Sequence, residues 1–291
     1  MSANAALLRF GPLLFVCLWS GGYTAIRLAL DHAEPLTLQV IRYLVVVAGL
    51  LPLVPLLRLR LPTGAVLRHL AIMGLVMQFA YFAACNLAQA WGVTPGGLAL
   101  ILALQPILVA LLAPRLAREA VDRRAWLGLL LGLAGAAAVI VSGSAIEARG
   151  WLGLLFAIGA LGMMTAGALL ETRSGRPCHP VMANLVLYGV GLVATLPLAA
   201  LTERMRVDWS WGLAGPLAYL VLANSLIATT LLLAMLRHGG AARVSALLFL
   251  VPPLAALIAW VVLGQPMALL AWAGTGLAAL GVALARRQAR G

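Results

Sequence analysis

Gln78, Tyr81 with Phe82, Cys85 and Gln89 recur at spacings of three and four residues, so on a helix they share one face. The surrounding residues are apolar, and an amide turned toward hydrocarbon has no hydrogen-bond partner there. This face therefore points to a cavity or to another helix. Gln78 and Tyr81 are candidate contacts for a small molecule, and interhelical hydrogen bonding, worth about 0.6–2 kcal/mol, is the competing role. Asn224, Ser225 and Thr229 form the corresponding polar face in the second half. Gln105, beside Pro106, is read the same way. Trp19, Tyr23 and Arg27 follow at helical spacing, and Trp19, Tyr23, Tyr81, Phe82 and Phe249 together supply aromatic surface. Rings with a few amides suit non-covalent binding of a small amphipathic molecule with a ring or apolar body; Trp19 and Tyr23 equally suit plain packing.

Catalysis finds no support in this text. His32, His69, His179 and His238 lie in or near loops, and no paired acids or Ser/His/Asp set falls within an apolar run. Cys17, Cys85 and Cys178 lack CxxC or Cys/His spacing, so neither a disulfide framework nor a metal site is expected, and no cofactor is implied. A phosphate-binding loop of the G-x4-G-K type needs a lysine, and the chain has none.

Two arginines stand inside apolar runs. Arg42 lies seven residues past Pro35, about 10 Å along a helix, and Arg27 lies near the end of the first run. A charge at the bilayer centre costs at least about 2.5–3.5 kcal/mol, so both need partners. Snorkelling to Asp31, Glu34 or lipid phosphate is the expected solution; capture of a substrate carboxylate is the alternative, better placed for Arg42. Prolines and glycines punctuate the same runs. Gly21-Gly22 weakens the first run by about 1 kcal/mol per glycine and is expected to interrupt it, close helix packing being the other role. Pro106, Pro252 and Pro253 are expected to kink their helices and to free the carbonyls of Leu102, Leu248 and Phe249.

Composition fixes what these residues are embedded in. Apolar residues make up 64% and charged residues 10% of 291 positions, with mean hydropathy +1.05, against about 45–50% and 25% in soluble domains. Lipid must cover such a chain. The net charge of +12 comes from 20 arginines placed in short gaps between apolar runs, a pattern that argues against nucleic acid as a partner. Ten runs are long enough to span a bilayer: about residues 11–30, 35–57, 70–91, 97–113, 125–141, 151–170, 180–201, 213–236, 241–263 and 267–285.

The text also repeats. A shift of 146 pairs Leu104 with Leu250, Pro106 with Pro252, Trp126 with Trp272 and Gly135 with Gly281; a shift of 145 pairs Pro35 with Pro180 and Tyr43 with Tyr188. Residues 1–145 and 146–291 thus read as two copies of a five-span unit forming one membrane domain. An odd number of spans inverts the second copy, an architecture typical of secondary transporters. Of the 20 arginines, 15 fall at the termini or in alternate loops, which places both termini in the cytoplasm.

Trp19-Ser20-Gly21-Gly22-Tyr23 through Ala25-Ile26-Arg27, Pro35-Leu36-Thr37 followed by Arg42, Pro106 and Pro252, and the Trp-x-Gly pairs at Trp126 and Trp272 resemble the drug/metabolite transporter superfamily, in its ten-span EamA-type branch. The resemblance covers essentially the whole chain. It implies an all-α integral membrane protein with two inverted five-helix repeats, and a secondary transporter of small metabolites in a bacterial-type inner membrane. Aromatic amino-acid exporters of that family look closest in function, and proton-coupled efflux of drugs or other metabolites is the alternative. A non-transporting scaffold fits the symmetric Gly and Pro positions less well. Where the family often carries Glu, this chain has Arg115 and Gln265, so facilitated transport down the substrate's own gradient is expected. The expected partners are a small-molecule substrate and the lipid bilayer, with a cavity between spans 1, 3, 4, 6, 8 and 9. Reporter fusions at Met1 and Gly291 are expected to be cytoplasmic; an external reporter at either position contradicts this orientation.

Overall fold

Backbone amides in hydrocarbon must bond within the protein, and a helix satisfies them within one segment. The structure, a computed structural model, describes residues 3–93, 95–116, 123–143, 151–171, 178–239, 244, 247–263 and 269–286. Among these the chain is helical, with one isolated β-bridge between Ala33 and Val207. Its main helices are α1 (Ala3–Ala29), α2 (Pro35–Leu50), α3 (Gly64–Ala90), α4 (Pro95–Leu102), α5 (Gln105–Leu116) and α6 (Arg123–Gly143). They continue with α7 (Trp151–Glu171), α8 (Pro180–Thr202), α9 (Trp211–Met235), α10 (Val251–Leu263) and α11 (Leu269–Arg286). Among the described residues six stretches are long and apolar enough to cross a membrane: Gly11–Ala29, Pro35–Leu56, α3, α7, α8 and α9. The expected repeat boundary at 145/146, the termini Met1 and Gly291, and Gln265 lie outside the described residues.

The structure corrects two expectations about breaks. α1 runs unbroken through Gly21-Gly22. Lipid offers the backbone no other partner, so the intrinsic weakness of glycine does not open the helix. The glycines instead admit another helix: a Cβ on Gly21 would meet the Tyr219 hydroxyl, and one on Gly22 the Asn224 amide. The prolines, in turn, do not kink continuous helices. α4 stops at Leu102 and α5 restarts at Gln105, which puts Pro106 in a first helical turn, where a missing N–H is harmless. A 3-10 turn over Leu247–Leu250 likewise precedes α10, whose first turn holds Pro252 and Pro253; the side chains of these two lie outside the described residues.

α3 and α9 each contain a wide turn of π-helical form, over Gly74–Tyr81 and Leu220–Ala228, and the two begin 146 positions apart. In the second, the Thr229 N–H reaches back five residues to the Asn224 carbonyl. Such turns leave carbonyls without their usual donors, and buried carbonyls need replacements. Side chains of the neighbouring helices supply them. Tyr43 and Gln39 of α2 donate to the Gln78 carbonyl, Gln39 at 2.8 Å. Tyr188 of α8 donates to the Ser225 carbonyl at 3.0 Å. The two tyrosine rings meet edge to face, with centroids 5.1 Å apart, where α2 packs along α8.

α6 and α11 form the other close pair. A Cβ on Gly281 would come within 2.6 Å of the Gly128 carbonyl and also strike the Gly132 backbone, so only glycine permits this approach. Gly281→Ala is expected to force the helices apart and cost about 1–3 kcal/mol, read as a lower Tm of the purified protein. Gly276→Ala, whose Cβ meets nothing within 4 Å, is the control. An unchanged Tm for Gly281→Ala contradicts this packing.

Candidate functional site

Arg42 is the centre of the candidate site. Residues Leu36 to Val40, Arg42 and Tyr43 of α2 are all buried, and at 3% exposure the Arg42 guanidinium reaches no lipid headgroup. Its Nε donates to Ser225 Oγ and its Nη2 to Asn224 Oδ1, both at 2.7 Å. The Phe82 ring lies under the guanidinium carbon at 4.6 Å, and Tyr43 at 5.9 Å. Charge-assisted hydrogen bonds contribute about 1.5–3 kcal/mol each, and a desolvated cation over a ring about 2 kcal/mol. Among the described residues no carboxylate pairs with Arg42. Two hydrogen bonds engage only part of a guanidinium that carries five N–H donors. The snorkelling expected for Arg42 is therefore corrected: the side chain turns inward, because Asn224 and Ser225 wait there and no acid among the described residues pairs with it.

An aromatic layer adjoins the arginine. Phe15 and Trp19 of α1 stand 5.3 Å apart, Trp19 and Phe82 6.2 Å, and Tyr81 and Phe82 4.9 Å by ring centroids. Tyr23 interacts with both Trp19 and Tyr81, and Tyr81 with Cys85. The glycines of α1 make room for this arrangement. Gly22 faces Asn224, and Gly21 faces Tyr219, whose hydroxyl donates to the Leu18 carbonyl at 3.0 Å. Ser20, next to Gly21, donates to the Val16 carbonyl and faces the Val251 carbonyl at 3.3 Å, beside the restart of α10.

Of the residues singled out by sequence, Trp19, Tyr23, Tyr81, Asn224 and Arg42 are thus brought together. Gln78 stands apart from the rings: its Cβ faces Gly191, and its Oε1 lies 3.5 Å from the Tyr43 hydroxyl. Gln105 is buried at the break between α4 and α5 with its Oε1 unpartnered. Phe249 is fully buried and its ring packs against Gly132 of α6. Arg27 is half exposed and pairs with Asp31 at 2.6 Å, as snorkelling predicts. Tyr43, Tyr188 and Gln39 were not anticipated as carbonyl caps; the repeat pairing of the two tyrosines is the sequence signal that could have marked them.

Both ends of the bundle are tied across the chain's halves. At one end His32 Nδ1 meets Asp208 at 2.9 Å, and Glu203 accepts the backbone N–H groups of Leu36 and Thr37 at 2.8 and 2.7 Å. Those amides open α2, where Glu34 offers no side-chain cap, and a carboxylate suits a helix N-terminus. A cleft of about 1140 Å³ opens beside this clasp, lined by Arg27, Asp31, His32, Gln89, Arg206 and Asp208 among others. At the other end His69 Nε2 meets buried Glu171 at 3.0 Å. His69 falls within α3 because that helix starts at Gly64, earlier than expected from the sequence. This cleft is therefore at a loop end, away from the aromatic residues, none of which lines it. Among the described residues no group of three or more potential metal ligands occurs.

The sequence model of the EamA-like transporter family matches residues 9–141 and again 151–287. An uncharacterized transporter of Synechocystis sp. is 27% identical over 218 residues, 68% of this chain and 65% of that protein. The uncharacterized inner membrane transporter YedA of Escherichia coli is 25% identical over 278 residues, 94% of this chain and 89% of its own. A protein of known crystal structure shares the fold, with a TM-score of 0.77 at 20% identity over 97% of this chain and 98% of its own. With both halves matched by the family model and the helices long and apolar, the chain belongs to the EamA-like transporter family and is a multi-pass transporter of the inner membrane.

Proposed function

We propose that the chain is an exporter of neutral or aromatic amino acids, in which Arg42 receives the substrate carboxylate and the layer of Trp19, Phe82, Tyr81 and Tyr23 receives the side chain. The observation that carries this is the burial of Arg42 with, among the described residues, only neutral acceptors on it. A guanidinium fork matches a carboxylate through two parallel hydrogen bonds, and aromatic surface beside it suits a ring or thioether better than a polyol. Asn224 stands ready to hydrogen-bond the rest of an amino-acid backbone. Gln78, Gln105 and Phe249 act behind the site, through the wide turn, the helix break and the α6 contact.

The architecture that goes with this function is two inverted five-span repeats, residues 1–145 and 146–291, with ten spans and both termini cytoplasmic. The double family match, the wide turns offset by 146 residues and the paired caps Tyr43 and Tyr188 support it. Alternating access then consists of rocking one repeat against the other, opening the His32–Asp208 end and the His69–Glu171 end in turn. The break after Leu102 and the 3-10 turn before Val251 give the rocking its joints. A proton-coupled efflux carrier is the second reading, and buried Glu171 with His69 favours it; flux that follows an imposed pH gradient would select it.

Purified protein in liposomes is expected to move phenylalanine and methionine but not glucose. Arg42→Gln should lower phenylalanine flux at least about a hundredfold, the scale of losing a buried charged partner at 3–5 kcal/mol. Arg42→Lys should retain a fraction, since it keeps the charge but loses the fork. Glucose flux without amino-acid flux, or an unimpaired Arg42→Gln variant, overturns the proposal.

A further inference from the structure

Arg42 stands on α2, and both of its acceptors stand on α9, more than 180 positions away. Its two hydrogen bonds therefore tie the first half of the chain to the second at the depth of the aromatic layer. The Gly22–Asn224 contact lies in the same plane and holds the Asn224 amide where Arg42 finds it. Resting on the carboxylate-binding role of Arg42, we propose that the protein is an exchanger, swapping one carboxylate-bearing substrate for another and reorienting slowly without one.

Two physical effects act in the same direction. A carboxylate is an anionic, two-oxygen acceptor, whereas Asn224 and Ser225 offer one neutral oxygen each. It outcompetes them for the guanidinium fork and so releases the tie between the halves. With no carboxylate on Arg42, the tie stays closed. The second effect is electrostatic. A lone guanidinium is the costly species to carry through a low-dielectric barrier, and a carboxylate paired directly with it offsets part of that penalty. The Phe82 face spreads the charge but does not neutralise it. Loading thus lowers the barrier to rocking twice, by unlatching the halves and by giving the guanidinium an opposite charge at contact distance in place of neutral acceptors. Release on one side leaves a carrier that returns fastest with a second carboxylate.

The test is counter-transport with the full chain in liposomes, the membrane potential held at zero. Initial uptake of labelled phenylalanine is compared among empty vesicles, vesicles loaded with unlabelled phenylalanine, and vesicles loaded with phenethylamine, which keeps the ring and amine but lacks the carboxylate. Internal phenylalanine should accelerate uptake at least about tenfold, equivalent to roughly 1.4 kcal/mol on the return barrier, and phenethylamine should not. Ser225→Ala removes one of the two ties and should shrink the ratio of exchange to net uptake by about threefold or more. Equal uptake into empty and loaded vesicles, by protein that does move phenylalanine, overturns the exchange proposal while leaving the substrate intact. An unchanged ratio in Ser225→Ala overturns the latch. Absence of phenylalanine flux under every loading removes the substrate reading, and exchange falls with it.

Discussion

A guanidinium held at membrane depth by an amide and a hydroxyl sets the terms for the surrounding helices. Arg42 has to be desolvated where it stands, so its neighbours are chosen for what they can return to it: two oxygen acceptors at 2.7 Å and an aromatic face at 4.6 Å. Those acceptors sit on the wide turn of α9, which turns Asn224 and Ser225 toward α2. The wide turn in turn depends on Tyr188, which supplies a donor to the Ser225 carbonyl, and on Gly22, which leaves space for the Asn224 side chain. Removing any of these parts disturbs the position of the charge.

The same logic explains why the bundle contains so many irregular helices. Hydrocarbon gives no water to an unbonded carbonyl, so every departure from the α-helix must be matched by a side-chain donor from a neighbour. Tyr43 and Gln39 perform this at Gln78, and Thr229 adds a hydroxyl donor at the Asn224 carbonyl. Proline restarts, which need no donor at their first turn, do it more cheaply at Pro106. The alternating access proposed above would use joints of this kind, in which the helix is already open and its polar groups are held by contacts that can be exchanged.

Much of this was legible from residue types alone. Apolar runs of bilayer length gave the helices, since few charges interrupt them, and the shifts of 145 and 146 located Tyr43 with Tyr188 and Pro106 with Pro252. The polar face of Gln78 and Tyr81, and its counterpart at Asn224 and Ser225, was found from helical spacing. Whether a residue on such a face meets a ring, a cap or a packing glycine was not, because that depends on a helix more than a hundred positions away. Gly21-Gly22 takes the second of its two roles, close packing, for this reason: the two glycines carry no local sign that Tyr219 and Asn224 oppose them. Arg42 was misjudged because its partners are neutral and distant, while the nearby acids Asp31 and Glu34 are engaged by Arg27 and by the Arg206 backbone. Wide turns have no sequence signature of their own, so their caps became visible only in three dimensions.

If the buried arginine is the receptor for a carboxylate, the carboxylate must account for binding in the absence of any transport. Thermal unfolding of the purified protein in detergent measures this directly, because a ligand that binds only the folded state stabilises it by about 2.7 kcal/mol at a hundred times its Kd. Phenylalanine should raise the Tm in a saturable manner, while phenethylamine and phenylalaninamide, which keep the ring but lack the carboxylate, should leave it unchanged. Equal stabilisation by all three would show that the ring alone is recognised and would contradict the role assigned to Arg42.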